Sequence, residues 1–214
     1  MFRNFPIYRI EWVTSIFLIG TALLSLTVVP WFLWNQYHLA AGDPGKVQGW
    51  PFIWAMFVFY YYATGFGITL GYHRLFSHIS FKAKWPVKLF VLLFGAASFE
   101  NSALDWSADH RIHHKHVDED EDPYSVTDGF FWAHIGWVMV SQDEAIVEKV
   151  EDLEADPILA FQDRHIFLLG FLVGMVLPGA AGWYLIGGMT GFLGGFIWGG
   201  LFRVVIVHHA TFLI

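Results

Sequence analysis

Read for alternation of apolar and polar positions, the chain separates into long apolar runs and one polar stretch. From about Trp12 to Trp34 it is nearly free of charge, long enough to cross a hydrocarbon core of about 30 Å as a helix. Trp12, Trp31 and Trp34 fall where an interfacial aromatic belt would lie. The run is too long for a cleaved signal peptide, and no convincing small-residue cleavage site follows it. A polar turn, Asn35 to Gly49 with Asp43-Pro44-Gly45, leads to a second run from about Pro51 to Leu70. Two further spans are expected at about Ile166 to Ile186 and Gly191 to Ile214, separated by the tight turn Gly187-Gly188-Met189-Thr190. Pro86 to Phe99 is apolar but short and carries Lys88, which suits an interfacial helix. From Asp105 to about His165 the chain is charged and reads as water-facing.

This pattern predicts an all-α integral membrane protein: four spanning helices in two hairpins, with a histidine-rich helical cap over residues 73–165. A single domain over 1–214 is expected, without repeats or low-complexity tracts. Arg3, Arg9, Arg74, Lys82, Lys84, Lys88, Arg111, Lys115, Lys149 and Arg164 would share one face against Lys46 alone, so the positive-inside rule makes that face cytoplasmic.

Composition agrees with a membrane setting: 56% of residues are hydrophobic and 14% charged. With no cysteine, disulfides, zinc ribbons and iron–sulfur clusters ligated by this chain are excluded. The net charge of -7 comes largely from the acidic segment after His116, and without a basic stripe nucleic-acid binding has little support.

Candidate chemistry lies in the histidines. His73 and His78 occur in G-Y-H-R-L-F-S-H, and His110, His113 and His114 in D-H-R-I-H-H-K-H. Positions i, i+3 and i+4 share one helical face, so the second group can converge on a metal. His73 and His78 are five residues apart, about 140° on an ideal α-helix, so both reach one ion only if the helix bends or frays near its end. A many-imidazole centre suits redox-active iron better than closed structural zinc, with zinc hydrolysis the alternative. Asp105 and Asp109 are close enough to the second group to orient its outer ring nitrogens, or are plain solvated aspartates. Bland roles are expected for His116 and His134, and Asp118 to Asp122 reads as a solvated turn ended by Pro123 rather than a cation site. Arg203, inside the last span, should face the protein interior or snorkel, with no partner nameable.

The two groups resemble the first two histidine boxes of the membrane fatty acyl desaturases of the stearoyl-CoA desaturase type. The resemblance extends through Asp120, Asp122-Pro123-Tyr124, Gly129-Phe130 to Trp137, Asp152 to Asp156 and Phe161-Gln162, and covers nearly the whole chain. It implies that His73, His78, His110, His113 and His114 bind a pair of iron ions that activate dioxygen to place a double bond in an acyl chain. No catalytic residue beyond these metal ligands is expected. Asn101, Trp106 and Thr211 resemble the family's substrate-lining residues. Electrons would come from a partner such as a b-type cytochrome or ferredoxin system, and the acyl chain would enter as its coenzyme A thioester or a related form. The pattern also asks for an Asn-Ser-x-x-His stretch and a third box near His-Asn-x-His-His. Neither occurs, so a desaturase domain incomplete at its C-terminus is expected, with His208 and His209 at non-ligand positions. The alternatives are a diiron membrane hydroxylase, a metal transporter or sensor, and a non-functional remnant. The transporter reading predicts polar ligands within the spans, and the first three contain no histidine, aspartate or glutamate at their middles.

Overall fold

The structure is a computed structural model describing residues 6–42, 49–141 and 150–212. Arg3, Lys46 and Lys149 of the charge count, residues 43–48 of the expected first loop, and the end of the last expected span lie outside the described residues.

Among the described residues the fold is all-α, and four helices are long and apolar enough to cross a membrane. In chain order the helices are α1 (Trp12–Gly42), α2 (Trp50–Ser77), α3 (Trp85–Ala96), α4 (Ala103–Lys115), α5 (Glu151–Glu154), α6 (Pro157–Arg164), α7 (Ile166–Ile186) and α8 (Gly188–Thr211). Among the described residues no strand forms, and only an isolated antiparallel bridge joins Ile10 to Val140. Hydrocarbon offers no partner to a backbone amide, so each long apolar run satisfies its own groups as a helix. Hydroxyls follow the same rule: Thr21, Thr27, Thr64 and Thr69 each donate to the carbonyl four residues earlier, at 2.6 to 2.9 Å. Large side chains such as Ile16, Leu23, Leu26, Phe59, Phe167 and Tyr184 lie more than half exposed on the spanning helices. That perimeter suits lipid, where an aqueous surface would aggregate.

Small residues set the helix spacing. Gly182 of α7 and Gly191 of α8 each face the other's carbonyl, and Gly195 faces the Pro178 carbonyl. A Cβ at any of these positions would collide with backbone, which is the close approach that membrane helices use in place of a hydrophobic driving force. α1 packs chiefly on α8, where Val29, Phe32, Ile53, Ile197 and Trp198 form one core cluster. Arg203 is fully buried, donating to the carbonyls of Gly199 at 3.0 Å, Ala97 at 2.6 Å and Gly174 at 2.9 Å. It therefore faces inward and joins α8 to α7 and to the end of α3.

Two boundaries differ from the expected ones in a way that matters for the site. α1 runs on past Trp34, and α2 does not end near Leu70 but continues as a π-helix over Gly67–Ser77. Apolar content marks where lipid ends, whereas the helix persists because a second core supports it. That core joins Ile68, Tyr72, Leu75 and Phe76 of α2 to Val91 and Leu92 of α3, Ala103 and Ala108 of α4, and Leu153 and Leu159 of α5 and α6. Buried Gln162 ties it together, with its amide donating to the Tyr72 hydroxyl at 2.5 Å and its carbonyl accepting from the Ala103 N–H at the start of α4.

Gly195→Ala should lower the thermal midpoint in detergent by overpacking worth about 1–3 kcal/mol. Gly20→Ala, whose Cβ meets nothing within 4 Å, should leave it unchanged. Equal midpoints for both variants would contradict the close α7–α8 contact.

Candidate metal centre

The last turns of α2 decide whether His73 and His78 can act together. In a π-helix the hydrogen bond runs from i+5 to i, and the His78 N–H donates to the His73 carbonyl at 3.0 Å. The Ser77 hydroxyl adds a second five-residue link, to the Tyr72 carbonyl at 2.7 Å. A spacing that would splay the pair on an α-helix thus becomes about one turn, and the two rings stand 4.6 Å apart.

α4 supplies the second half. Ser102 caps it by accepting from the Asp105 N–H, and His110 and His114 lie one turn apart on one face. His110 Nε2 is 3.2 Å from His78 Nε2 and 3.1 Å from His114 Nε2. One ring nitrogen from each of His73, His78, His110 and His114 falls within a sphere of mutual distances no greater than 4.8 Å.

Arg111 sets the two helices in register. Its guanidinium donates to the carbonyls of Phe76 at 3.0 Å and Ser77 at 3.3 Å, groups that the end of α2 leaves without helical partners. It also grips Asp152 in a bidentate pair, both contacts 2.8 Å, which holds that carboxyl below the usual carboxylate range. So the residue between the ligand-type histidines fastens α4 to the turn that carries the other pair.

The donor set fits a metal ion. His110 Nε2 confronts two other Nε2 atoms, and a single nitrogen cannot make good hydrogen bonds with both. An ion about 2.1 Å from each nitrogen with bonds near right angles would hold them about 3 Å apart. Burial first, then the neighbouring imidazoles, push His110 down to about 3, and the same causes lower His114. Both are thereby kept in the neutral, ligating form.

Ring orientation comes from groups the sequence reading did not assign. His110 Nδ1 meets the Tyr124 hydroxyl at 2.9 Å, and its ring stacks on Trp106 at 4.7 Å. His113 lies beside the four-nitrogen group, with Nδ1 2.9 Å from both Asp122 oxygens. Asp122 is buried and also accepts from the N–H groups of Asp118 and Tyr124. The acidic run is thus a turn with Asp118 to Glu121 exposed, as expected, but its last member points inward and serves the histidines. Asp105 is turned to its own cap, with Oδ2 accepting from the Ser102 hydroxyl, and burial raises its carboxyl. Burial, reinforced by Asp105, pushes Asp109 up to about 7, and Asp109 lines the cavity described next.

A cavity of about 450 Å³ opens beside the cluster. His73, Trp106 and His110 lie on its wall with Ile68, Phe130, Trp137, Thr211 and Phe212. Asn101 is not part of that wall: it is exposed and holds a left-handed φ of 72°. Glu100, which the sequence reading passed over, is buried in the wall and accepts from Thr211. His208 is buried with Nε2 2.7 Å from the Ser98 carbonyl, while His209 pairs with His134 at 2.9 Å. Neither His208 nor His209 joins the four. His116 sits with Glu119 and Glu121 in a mostly exposed acidic group.

A family model described as Fatty acid desaturase matches residues 48–214. A probable acyl-CoA desaturase of Schizosaccharomyces pombe is 42% identical over 73% of this chain and 33% of its own length. Acyl-CoA desaturase 1 of Saccharomyces cerevisiae is 36% identical over 89% of this chain and 41% of its own length. Stearoyl-CoA desaturase 5 of Bos taurus is 39% identical over 73% and 49%. The chain thus spans about a third to a half of the length of these relatives.

Asp122→Asn should weaken iron binding about 10- to 100-fold while leaving the helix content intact, because it frees the His113 ring. Competition against a coloured chelator, with circular dichroism as the control, checks this, and unchanged affinity would contradict the orienting role.

Proposed function

Because the chain belongs to the fatty acid desaturase family, we propose that it is an oxygen-dependent desaturase that places a double bond in a fatty acyl chain. The observation that carries this reading is a cluster of four imidazoles, two of which, His73 and His110, line a largely apolar cavity. Hydrogen on an unactivated methylene is beyond acid–base side chains at ordinary pKa, and iron bound at the cluster would supply the oxidising power.

His73, His78, His110 and His114 hold one ion in this reading. His113, backed by Asp122, would serve a second ion in a diiron centre that takes dioxygen as co-substrate. Asp105 and Asp109 shape the polarity behind the histidines. The cavity takes the acyl chain, and its size lies in the range of small-molecule sites. Trp106 and Thr211, both in the cavity wall, bound the chain. The relatives' names favour a coenzyme A thioester as the acyl form. Two electrons per turnover come from an external donor, a b-type cytochrome or ferredoxin system.

The four long helices sit in the bilayer as one domain with the cap. Arg74, Lys82, Lys84, Lys88, Arg111 and Lys115 lie on or next to the segments that carry the histidines, so the positive-inside rule puts the centre on the cytoplasmic side. A diiron hydroxylase would use a similar ligand set and differ in its product.

Production of this chain in cells lacking their own desaturase, followed by fatty acid analysis, tests the proposal. Oxygen-dependent unsaturated chains are expected, falling below detection in His110→Ala. Hydroxylated chains in their place would support the hydroxylase, and neither product would overturn the reading.

A further inference from the structure

His134 and His209 pair at 2.9 Å outside the metal cluster, and the function proposed above uses neither. His134 belongs to residues 126–139, where a 3₁₀ turn at Val126–Asp128, a π turn at Trp132–Gly136 and a second 3₁₀ turn at Trp137–Met139 succeed one another. Such short runs hydrogen-bond less well than an α-helix, so the segment depends on what holds it from outside. It is tied on both sides of His134: the Trp132 indole donates to the Pro123 carbonyl at 3.1 Å, and the Met139 carbonyl accepts from the Glu11 N–H at 2.9 Å. Gly129 enters it at a φ of 102°, a conformation that suits glycine and provides a hinge.

Between those ties His134 reaches across to α8. Its Nε2 meets His209 Nδ1, and its Nδ1 lies 3.3 Å from the carbonyl of Phe212, just past the helix. Phe130 and His209 both stack on its ring, with centroids 5.4 and 5.2 Å away. The crossing spans a seam in the cavity wall, because Phe130, Ala133, His134 and Trp137 line the cavity from the segment, and Thr211 and Phe212 line it from the end of α8.

Counting protons shows when the pair can form. A backbone carbonyl only accepts, so the contact with Phe212 places a proton on His134 Nδ1. In neutral His134 the other nitrogen is then a lone pair, and His209 donates to it from Nδ1. With one added proton the direction reverses, His134 donating from Nε2 and His209 accepting. With two, both facing nitrogens carry hydrogen, and the 2.9 Å contact sets N–H against N–H and charge against charge. His209 is exposed, so the second proton can come from water. The closed form excludes that proton and the open form takes it, so acidification favours opening. Other titratable groups face the same cavity: His73 from α2, Glu100, Asp109, His110 and His113 from α4, and Asp118 and Tyr124 from the acidic turn. His208 is turned to the Ser98 carbonyl, and Glu11 lies against Met139. A substitution at His209 separates their titration from that of the pair.

We propose that His134 and His209 form an acid-labile clasp across the cavity wall, and that its opening admits and releases an apolar chain. The clasp half rests on geometry alone. The ligand half rests on the acyl-chain reading above. His209→Asn keeps an amide that donates to neutral His134 and accepts from the charged ring, so the clasp survives and no longer responds to acid. His209→Ala removes the clasp at every pH.

Both variants are compared with the parent chain in lipid nanodiscs at about pH 8 and about pH 5, the range over which imidazole ordinarily changes charge. Hydrogen exchange of residues 126–139, read by mass spectrometry, reports the clasp, and comparison at equal pH cancels the intrinsic pH dependence of exchange. The parent should match His209→Asn at the higher pH and exchange about two- to tenfold faster than it at the lower, the scale of one hydrogen bond. His209→Ala should exchange faster than His209→Asn at both. Equal exchange in the parent and His209→Asn at the lower pH, or in all three proteins at the higher, overturns the clasp. Release of a pyrene-labelled long-chain acyl thioester should quicken on acidification in the parent and stay slow in His209→Asn. Faster exchange of the segment without faster release overturns the role in admission. A parent chain that binds no probe at the higher pH overturns the acyl-chain reading and the ligand half with it, while hydrogen exchange still judges the clasp.

Discussion

One guanidinium fixes the relation between the two histidine-bearing helices. Arg111 accepts a role that helix geometry creates: α2 ends with carbonyls that its own N–H groups cannot reach, and α4 brings a rigid fork of donors to them. An unsatisfied buried carbonyl costs about 1–3 kcal/mol, so relative motion of α2 and α4 is opposed at the turn where four imidazoles must meet. Asp152 neutralises the fork from the far side and carries the constraint into α5. Because Arg111 lies between His110 and His113, the residue that docks the helix and the residues that face the metal share one short segment.

The rest of the molecule makes that docking possible. Gln162 joins α6 to Tyr72 and to the start of α4, so the cap is bound to α2 beneath the histidines as well as beside them. Lys88 of α3 pairs with Asp156 at 2.6 Å, though both side chains are partly exposed and water screens the pair. Deeper in the bundle, Arg203 plays a part opposite to that of Arg111. It is a buried cation hydrogen-bonded to three backbone carbonyls, joining α7, α8 and the end of α3 without touching the metal cluster. Close glycine contacts between α7 and α8 complete a frame that positions the cavity beside the histidines.

Much of this was legible in the sequence, for definite reasons. Unbroken apolar length reports the need to satisfy a backbone in lipid, so the long helices could be located, though α1 and α2 run on to Gly42 and Ser77, past the apolar ends at Trp34 and Leu70. The i, i+4 pair His110 and His114 reads directly as one helical face. His73 and His78 could not be read in that way, because their spacing fits a π-turn, and π-geometry depends on packing against α3 and α4 that no local pattern announces. The same holds for Asp122: four of the five acidic residues in its run are exposed, and only the fold of the turn selects the one that reaches His113. Tyr124, two residues further on, was visible as part of the family resemblance but not as a partner of His110. Glu100 had no signal of its own, since an acid next to a predicted boundary ordinarily reads as solvated. A simple clue for Arg111 existed in retrospect, a cation placed among ligand-type histidines where its charge would repel a metal unless turned away.

The central claim is that Arg111 assembles one imidazole-rich metal centre from two separate helices. Iron K-edge X-ray absorption on the iron-loaded protein and on Arg111→Ala tests it most directly. The account predicts a first shell dominated by nitrogen at about 2.1 Å with the outer scattering of several imidazoles, diminished in the variant as α2 and α4 lose register. An oxygen-dominated shell in the parent protein, or identical spectra in the two, would contradict it.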